Sequence, residues 1–124
     1  MSPSEQRRLV VKLTWGAEAP ERVSQALSVA STALAAGAEV SLWLTGDATL
    51  LARPGILDKI ELPHAAPLAE LFDLIRDEGQ VTVCSQCAAR RDLTEAELLA
   101  GVRVAGSASF VAEVLAESAT ALVY

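Results

Sequence analysis

Two cysteines stand three positions apart in the stretch Gln80-Val81-Thr82-Val83-Cys84-Ser85-Gln86-Cys87-Ala88-Ala89-Arg90-Arg91, which closes on an arginine pair. A thiolate can act as a nucleophile, a metal ligand or half of a disulfide, so this stretch is the candidate reactive centre. The β-branched run before Cys84 reads as a buried strand, and the Ala-rich run after it reads as the first turns of a helix. N–H groups at a helix start lack intrahelical partners and carry partial positive charge. They stabilise a thiolate at Cys84, or at Cys87 within the first turn. The spacing also permits a disulfide, given favourable junction geometry. Arg90 and Arg91 follow Cys87 by about one turn, and helical side chains lean toward the N-terminus, which directs at least one guanidinium toward the thiols or toward an anion bound to them. In a cytosolic protein such a C-x-x-C signals redox or sulfur-handling chemistry. The bland alternative is two small buried hydrophobes beside a solvated arginine pair.

Other chemistry-bearing residues are sparse. His64 is the sole histidine; with the two cysteines it makes only three zinc ligands, so a metal centre would need Asp47 or a second subunit. Asp47 follows a turn and reads first as a helix cap, Ser107 as the N-cap of a later helix. Trp15 and Trp43 read as packing residues, Trp15 also as a wall of a pocket at its strand's end. Gly16-Ala17-Glu18-Ala19-Pro20 is too poor in glycine for a phosphate loop. Neither a Ser-His-Asp order nor a metalloprotease motif is present, and no cofactor or metal is implied.

The elements that must position the thiols follow from periodicity. Leu9 to Thr14 reads as a strand buried on both faces apart from Lys12. Pro20 suits a first helical position, Val23, Leu27, Ala30 and Leu34 recur at helical spacing, and Gly37 ends that helix. Glu39 to Leu44 alternates as a second strand, its Ser41 and Trp43 face half-buried in the manner of an edge strand or subunit contact. A short helix through Ala52 breaks at Arg53-Pro54-Gly55, and Ile56 to His64 reads as a loop with a short extended piece. Pro67 opens a helix presenting Leu68, Leu71, Phe72 and Ile75, which Gly79 closes. After the cysteines, Thr94 to Glu97 fits a capping box for a helix to Ala100. Val102 to Ala105 is a fourth strand, the following helix presents Phe110, Val111, Val114 and Leu115, and Thr120 to Tyr124 is a fifth strand.

Strands alternating with helices over short connections imply a three-layer α/β/α sandwich around a mostly parallel five-stranded sheet. Right-handed crossovers then bring every strand's carboxyl end to one edge, where open α/β sheets bind ligands. Trp15, Gly16, Thr45, Asp47, Cys84, Gly106 and Ser107 are thereby expected to converge around the thiol.

Composition sets the setting. The 124 residues make one domain, 1–124, with 1–7 expected as a flexible tail, and aromatics are only 4% against 52% hydrophobic residues. A core of Ala, Val and Leu permits close helix and subunit packing. A net charge of −6 lacks the basic footprint that nucleic acid requires and disfavours an anionic membrane surface. Two cysteines do not form a secreted disulfide framework, the first eight residues are not a signal peptide, and the Ala26 to Ala38 window is too short and polar to span a bilayer. A cytoplasmic protein is the expectation.

Three segments carry a resemblance: Val83-Cys84-Ser85-Gln86-Cys87-Ala88-Ala89-Arg90-Arg91, Gly101-Val102-Arg103-Val104-Ala105-Gly106 and Ala121-Leu122-Val123-Tyr124. Together they resemble the DsrE/DsrF/TusD family of small sulfur-relay proteins, the DsrE-like or YchN-like fold, over most of the chain from Leu9. The resemblance implies that Cys84 carries a persulfide and that Arg90 and Arg91 are the basic pair after it. Cys87 matches only relatives with a second cysteine. It also implies that Trp15-Gly16 helps form the pocket, and that the chain assembles as a homotrimer or hexamer or with sister subunits. Asp92 departs from the family's Arg-Arg-Gly, which puts the next turn in question.

The leading expectation is therefore a cytoplasmic sulfur-transfer protein working through Cys84, a candidate sulfurtransferase, with sulfur-donor and sulfur-acceptor partners. Two alternatives stand beside it: a thiol oxidoreductase or redox sensor using a Cys84–Cys87 disulfide, and a non-catalytic oligomeric subunit that binds a ligand or metal.

Overall fold

The structure is a computed structural model that describes residues 6–124. Its elements in chain order are β1 (Arg8–Leu13), α1 (Pro20–Ala35), β2 (Glu39–Leu44), α2 (Leu68–Glu78), β3 (Gln80–Cys84), α3 (Ser85–Arg90), β4 (Arg103–Ala105), α4 (Ser107–Val114) and β5 (Ala119–Val123). Of the expected tail, residues 1–5 lie outside the described residues. The Arg7 carbonyl accepts from Glu39 N at 3.0 Å and its guanidinium donates to Thr120 Oγ1 at 3.0 Å, which ties the chain to the sheet just before β1.

The sheet has five strands in the order β4-β3-β2-β1-β5, every neighbouring pair parallel. Three successive crossovers step outward from β1 to β4; the last returns across the sheet to place β5 on the other side of β1. The register sorts the side chains by face. Val11, Leu42 and Val81 form one row, and Leu13, Leu44, Val83 and Val104 the next. These rows join Val23, Leu27 and Ala30 of α1 and Leu68, Phe72 and Ile75 of α2 in the principal apolar core.

The opposite face has a different chemistry. Lys12, Trp43, Thr82 and Arg103 stand in register across four strands, and α4 covers them. Glu113 of α4 accepts from the Ser41 hydroxyl, from Trp43 Nε1 at 3.2 Å and from Arg103 Nη2 at 2.7 Å, while Arg103 Nε donates to Thr82 Oγ1 at 2.8 Å. Phe110 meets Trp43 edge-on, with ring centroids 5.3 Å apart.

Several sequence expectations change here. β2 is the central strand, and Ser41 and Trp43 are 3% and 1% exposed, because α4 and its carboxylate cover the face expected to be half-open. Helix α4 turns Glu113 inward beside Phe110 and leaves Val111 and Leu115 exposed, so only part of the expected apolar face, Phe110 and Val114, is half-buried. The Thr94–Glu97 capping bonds form, with Glu97 Oε1 accepting from Thr94 N at 3.2 Å, yet only a single 3-10 turn, Glu95–Glu97, follows. Between Ile56 and His64 no strand forms: Leu57–Lys59 is a 3-10 turn, and the backbone is extended after it at Ile60. Pro20, Gly37 and Gly79 bound their helices as read from sequence, Gly37 at φ 93°. Among the described residues no helix is long and apolar enough to cross a membrane.

Candidate thiol site

Cys84 is the last residue of β3 and the N-cap of α3. An N-cap side chain ordinarily supplies an oxygen to the free N–H groups of the second and third helical residues. At Cys84 no side-chain cap bond forms; the Gln86 and Cys87 N–H groups and the Cys87 thiol instead surround the sulfur and favour its thiolate. Burial pushes the Cys84 thiol up; the Cys87 N–H, the Cys87 thiol, the Gln86 N–H and the nearby Lys12 charge outweigh it and hold the group below the ordinary thiol range. The helix-start N–H groups and the Lys12 charge favour the thiolate electrostatically. Both cysteines are free and half-buried.

The thiols face a cavity of about 230 Å³ at the carboxyl edge of the sheet, on the α4 side. Lys12, Trp43, Thr45, Gly46, Cys84, Cys87, Ser107 and Phe110 line it. Gly46 adopts φ 55°, a left-handed conformation that suits glycine, and so turns the chain away from β2 beside the thiols. Gly16 serves a neighbouring close approach: a Cβ there would lie 2.5 Å from the Asp47 carbonyl oxygen.

Of the residues singled out from sequence, Cys84, Cys87, Thr45 and Ser107 meet at this cavity. Arg91 lies beside it as a clamp: Nη2 and Nε donate to Asp47 Oδ1 at 2.8 and 3.1 Å, and Nη1 donates to the Cys87 carbonyl at 3.1 Å. Arg91 thereby fixes α3 to the Gly46–Ala52 3-10 segment that follows β2. Asp47 is consequently an ion-pair partner instead of a cap, since Thr45 holds the cap position and no side chain bonds there. Ser107 is likewise not the N-cap, a place taken by Gly106. Arg90 is exposed and makes no side-chain hydrogen bond among the described residues. Trp15 is 41% exposed, carries the Arg22 guanidinium 4.3 Å from its ring centroid and stands outside the cavity lining. His64, at φ 61°, borders a separate surface hollow with Glu21 and Gln25. The His64-Cys84-Cys87 ligand set is thus not assembled, and among the described residues no group of three His, Cys, Asp or Glu side chains is placed to hold a metal ion.

Lys12, Trp43, Gly46 and Phe110 were not read as site residues from sequence. Lys12 carried a signal, being the single charge in the otherwise mainly apolar run Leu9 to Thr14. Trp43 and Phe110 carried none, because only the α4 crossover brings them to the thiols.

The DsrE/DsrF-like family model matches residues 8–123. The chain belongs to this family. Among curated proteins, the DsrE/DsrF-like chain is 35% identical over 91 residues to the uncharacterized protein MK0008 of Methanopyrus kandleri, covering 71% of this chain and 73% of the relative. Two solved structures share its fold. The ychN protein of E. coli superposes with a TM-score of 0.77 at 16% identity, covering 96% of this chain and 99% of that one. MTH1491 of Methanobacterium thermoautotrophicum, a protein of unknown function, does so with 0.72 at 14% identity, covering 96% and 100%. At these identities the likeness establishes the α/β architecture, and the thiol site has to be argued from this chain's own residues.

Proposed function

We propose that this DsrE/DsrF-like protein is a cytoplasmic sulfur-relay protein that carries sulfane sulfur as a persulfide on Cys84. The observation that carries the reading is the place of Cys84 at the N-cap of α3 in the wall of a cavity at the carboxyl edge of the sheet, where its surroundings favour the thiolate. Membership of a sulfur-relay family supports it. In the loading step, the Cys84 thiolate attacks the outer sulfur of a donor persulfide. A new S–S bond forms on Cys84, the donor's S–S bond breaks, and the donor leaves as a thiolate, so the sulfur moves without net oxidation or reduction. An acceptor thiolate reverses these events in the unloading step. The donor and acceptor are partner proteins or small thiols, and the working unit is a homo-oligomer.

Incubation with a sulfane-sulfur donor followed by mass spectrometry should add one sulfur to Cys84. Cys84→Ser should abolish the adduct. Labelling confined to another residue, or none from persulfide and polysulfide donors alike, would remove the reading.

A second reading is favoured by the two free thiols, three positions apart, lining one cavity. The Cys87 thiolate would attack the Cys84 sulfur of the persulfide, forming the Cys84–Cys87 disulfide and releasing hydrosulfide, with an external dithiol reducing the disulfide afterwards. Cys87→Ser separates the two: it blocks disulfide formation and leaves one-sulfur loading of Cys84 intact.

A further inference from the structure

A lysine within a sheet face is costly to bury unless its charge is used. Lys12 lies one residue before the end of β1 and is half-buried in the wall of the thiol cavity. Its Nζ sits 5.2 Å from the Phe110 ring centroid. The ion pairs among the described residues are Arg8–Glu39, Arg76–Asp73, Arg91–Asp47 and Arg103–Glu113, and none includes Lys12. Glu113, the carboxylate of α4 on the same face, is engaged by Arg103, Ser41 and Trp43. The cavity therefore holds a cation without an acidic protein partner, beside a nucleophile and between two aromatic walls. Its volume of about 230 Å³ is smaller than the usual cleft for a drug-sized ligand, and so admits a molecule of a few heavy atoms.

We infer that Lys12 makes this cavity selective for small anionic sulfane-sulfur donors, the ammonium supplying the counter-charge for the donor and for the anion that leaves it. The inference rests on the sulfur-relay reading of Cys84. The chemistry calls for such a cation: an anionic nucleophile meets an anionic donor, and a second anion departs. As the Cys84 sulfur bonds to the sulfane sulfur, the bond from that sulfur to the rest of the donor breaks. The electron pair leaves with the departing anion. Lys12 offsets the repulsion at each point and takes up no proton or electron.

Carboxymethylation of Cys84 by iodoacetate, compared with carbamidomethylation by iodoacetamide, tests the charge preference without any sulfur donor. Taking the ratio of the two rates within one protein cancels changes in the thiolate fraction. Lys12→Gln should lower the ratio at Cys84, read by fragment mass spectrometry, by at least about threefold, the effect of one unit charge across roughly 6 Å of water. Lys12→Arg should retain it. In the wild-type protein the ratio should fall as salt is raised, a readout that requires no variant to fold. A ratio unchanged in Lys12→Gln, lowered equally in Lys12→Arg, or insensitive to salt overturns the inference. Sulfur loading is scored apart: loss of loading with the charge effect present removes the relay reading and keeps the anion-selective cavity. Loading without the charge effect does the reverse.

Discussion

The Cys84 sulfur stands where a serine or aspartate oxygen would normally cap a helix, and this substitution has a titration consequence. Burial raises its pKa; the Cys87 N–H, the Cys87 thiol, the Gln86 N–H and the Lys12 charge bring it below the ordinary value. The rate of alkylation of Cys84 should therefore reach half its maximum at a lower pH in the folded protein than in the urea-unfolded one. Cys87→Ala removes the neighbouring thiol that helps lower the Cys84 pKa and should move that midpoint upward, whereas Cys87→Ser keeps a polar donor there and should move it less. Because the folded value lies below the unfolded one, the contribution of Cys84 to stability is full above the unfolded pKa and is lost as pH falls through the folded pKa. Asp92 presents a separate backbone question. It sits at φ 54°, in the left-handed region, at the position where the family pattern has glycine. The sequence departs from the pattern there and the turn nevertheless keeps the glycine-like conformation, since aspartate tolerates that region better than most residues. Asp92→Gly should leave the site intact and raise stability by about 0.5–1 kcal/mol, the strain removed exceeding the added unfolded-state freedom. Urea unfolding of the two proteins measures it.

Helix α4 holds its place through one carboxylate. Burial raises the Glu113 pKa, and the Ser41 hydroxyl, the Arg103 guanidinium and the Trp43 indole together depress it below the usual carboxylate range. Its stabilising contribution is thus full above the unfolded carboxylate value of about 4.3 and is lost as pH falls through the folded value. Glu113→Gln keeps the shape and removes the charge, and should cost about 2 kcal/mol at neutral pH. The difference between variant and wild type should shrink in acid, which urea unfolding at neutral and acidic pH reads directly. This network also marks the boundary of what the sequence discloses. The strand ending in Cys84, the helix beginning after it, and the boundaries at Pro20, Gly37 and Gly79 are local, and each was readable from residue types within a turn or two. The place of β2 was not. Alternation in Glu39–Leu44 separates two faces but says nothing about neighbours, and Ser41 and Trp43 became buried only because the last crossover carries α4 over them. The same long-range step explains the cavity. Cys84 and Cys87 were legible from their junction, while Trp43, Phe110 and the engagement of Asp47 by Arg91 depend on segments far apart in sequence.

One side of the molecule remains open in the single chain. Among the described residues β5 bonds to β1 along one edge only, and its Leu122 and Val123 are exposed, Val123 at 65%. On α4, the helix preceding it, Leu115 is 76% and Val111 46% exposed. A charged counterpart would be expected on a surface meant for water, yet this helix and strand place Val111, Leu115, Leu122 and Val123 among small Ala, Ser and Thr residues. A free strand edge next to exposed apolar side chains favours association. The homo-oligomer proposed above would bury these residues, and the thiol cavity lies against the same helix, through Ser107 and Phe110. In such an oligomer α4 would link assembly to access to Cys84. Replacing Leu115 and Val123 together with aspartate should shift the protein to a monomer by sedimentation velocity, because two carboxylates per subunit cannot be buried without counter-charges. Neither side chain is in the principal core, so the circular dichroism of the double variant should stay native. A double variant that sediments as the wild type would exclude this surface as the subunit contact. A monomer that still alkylates Cys84 at the wild-type rate would show that assembly leaves the cavity unchanged, whereas a changed rate would place the cavity mouth at the subunit boundary.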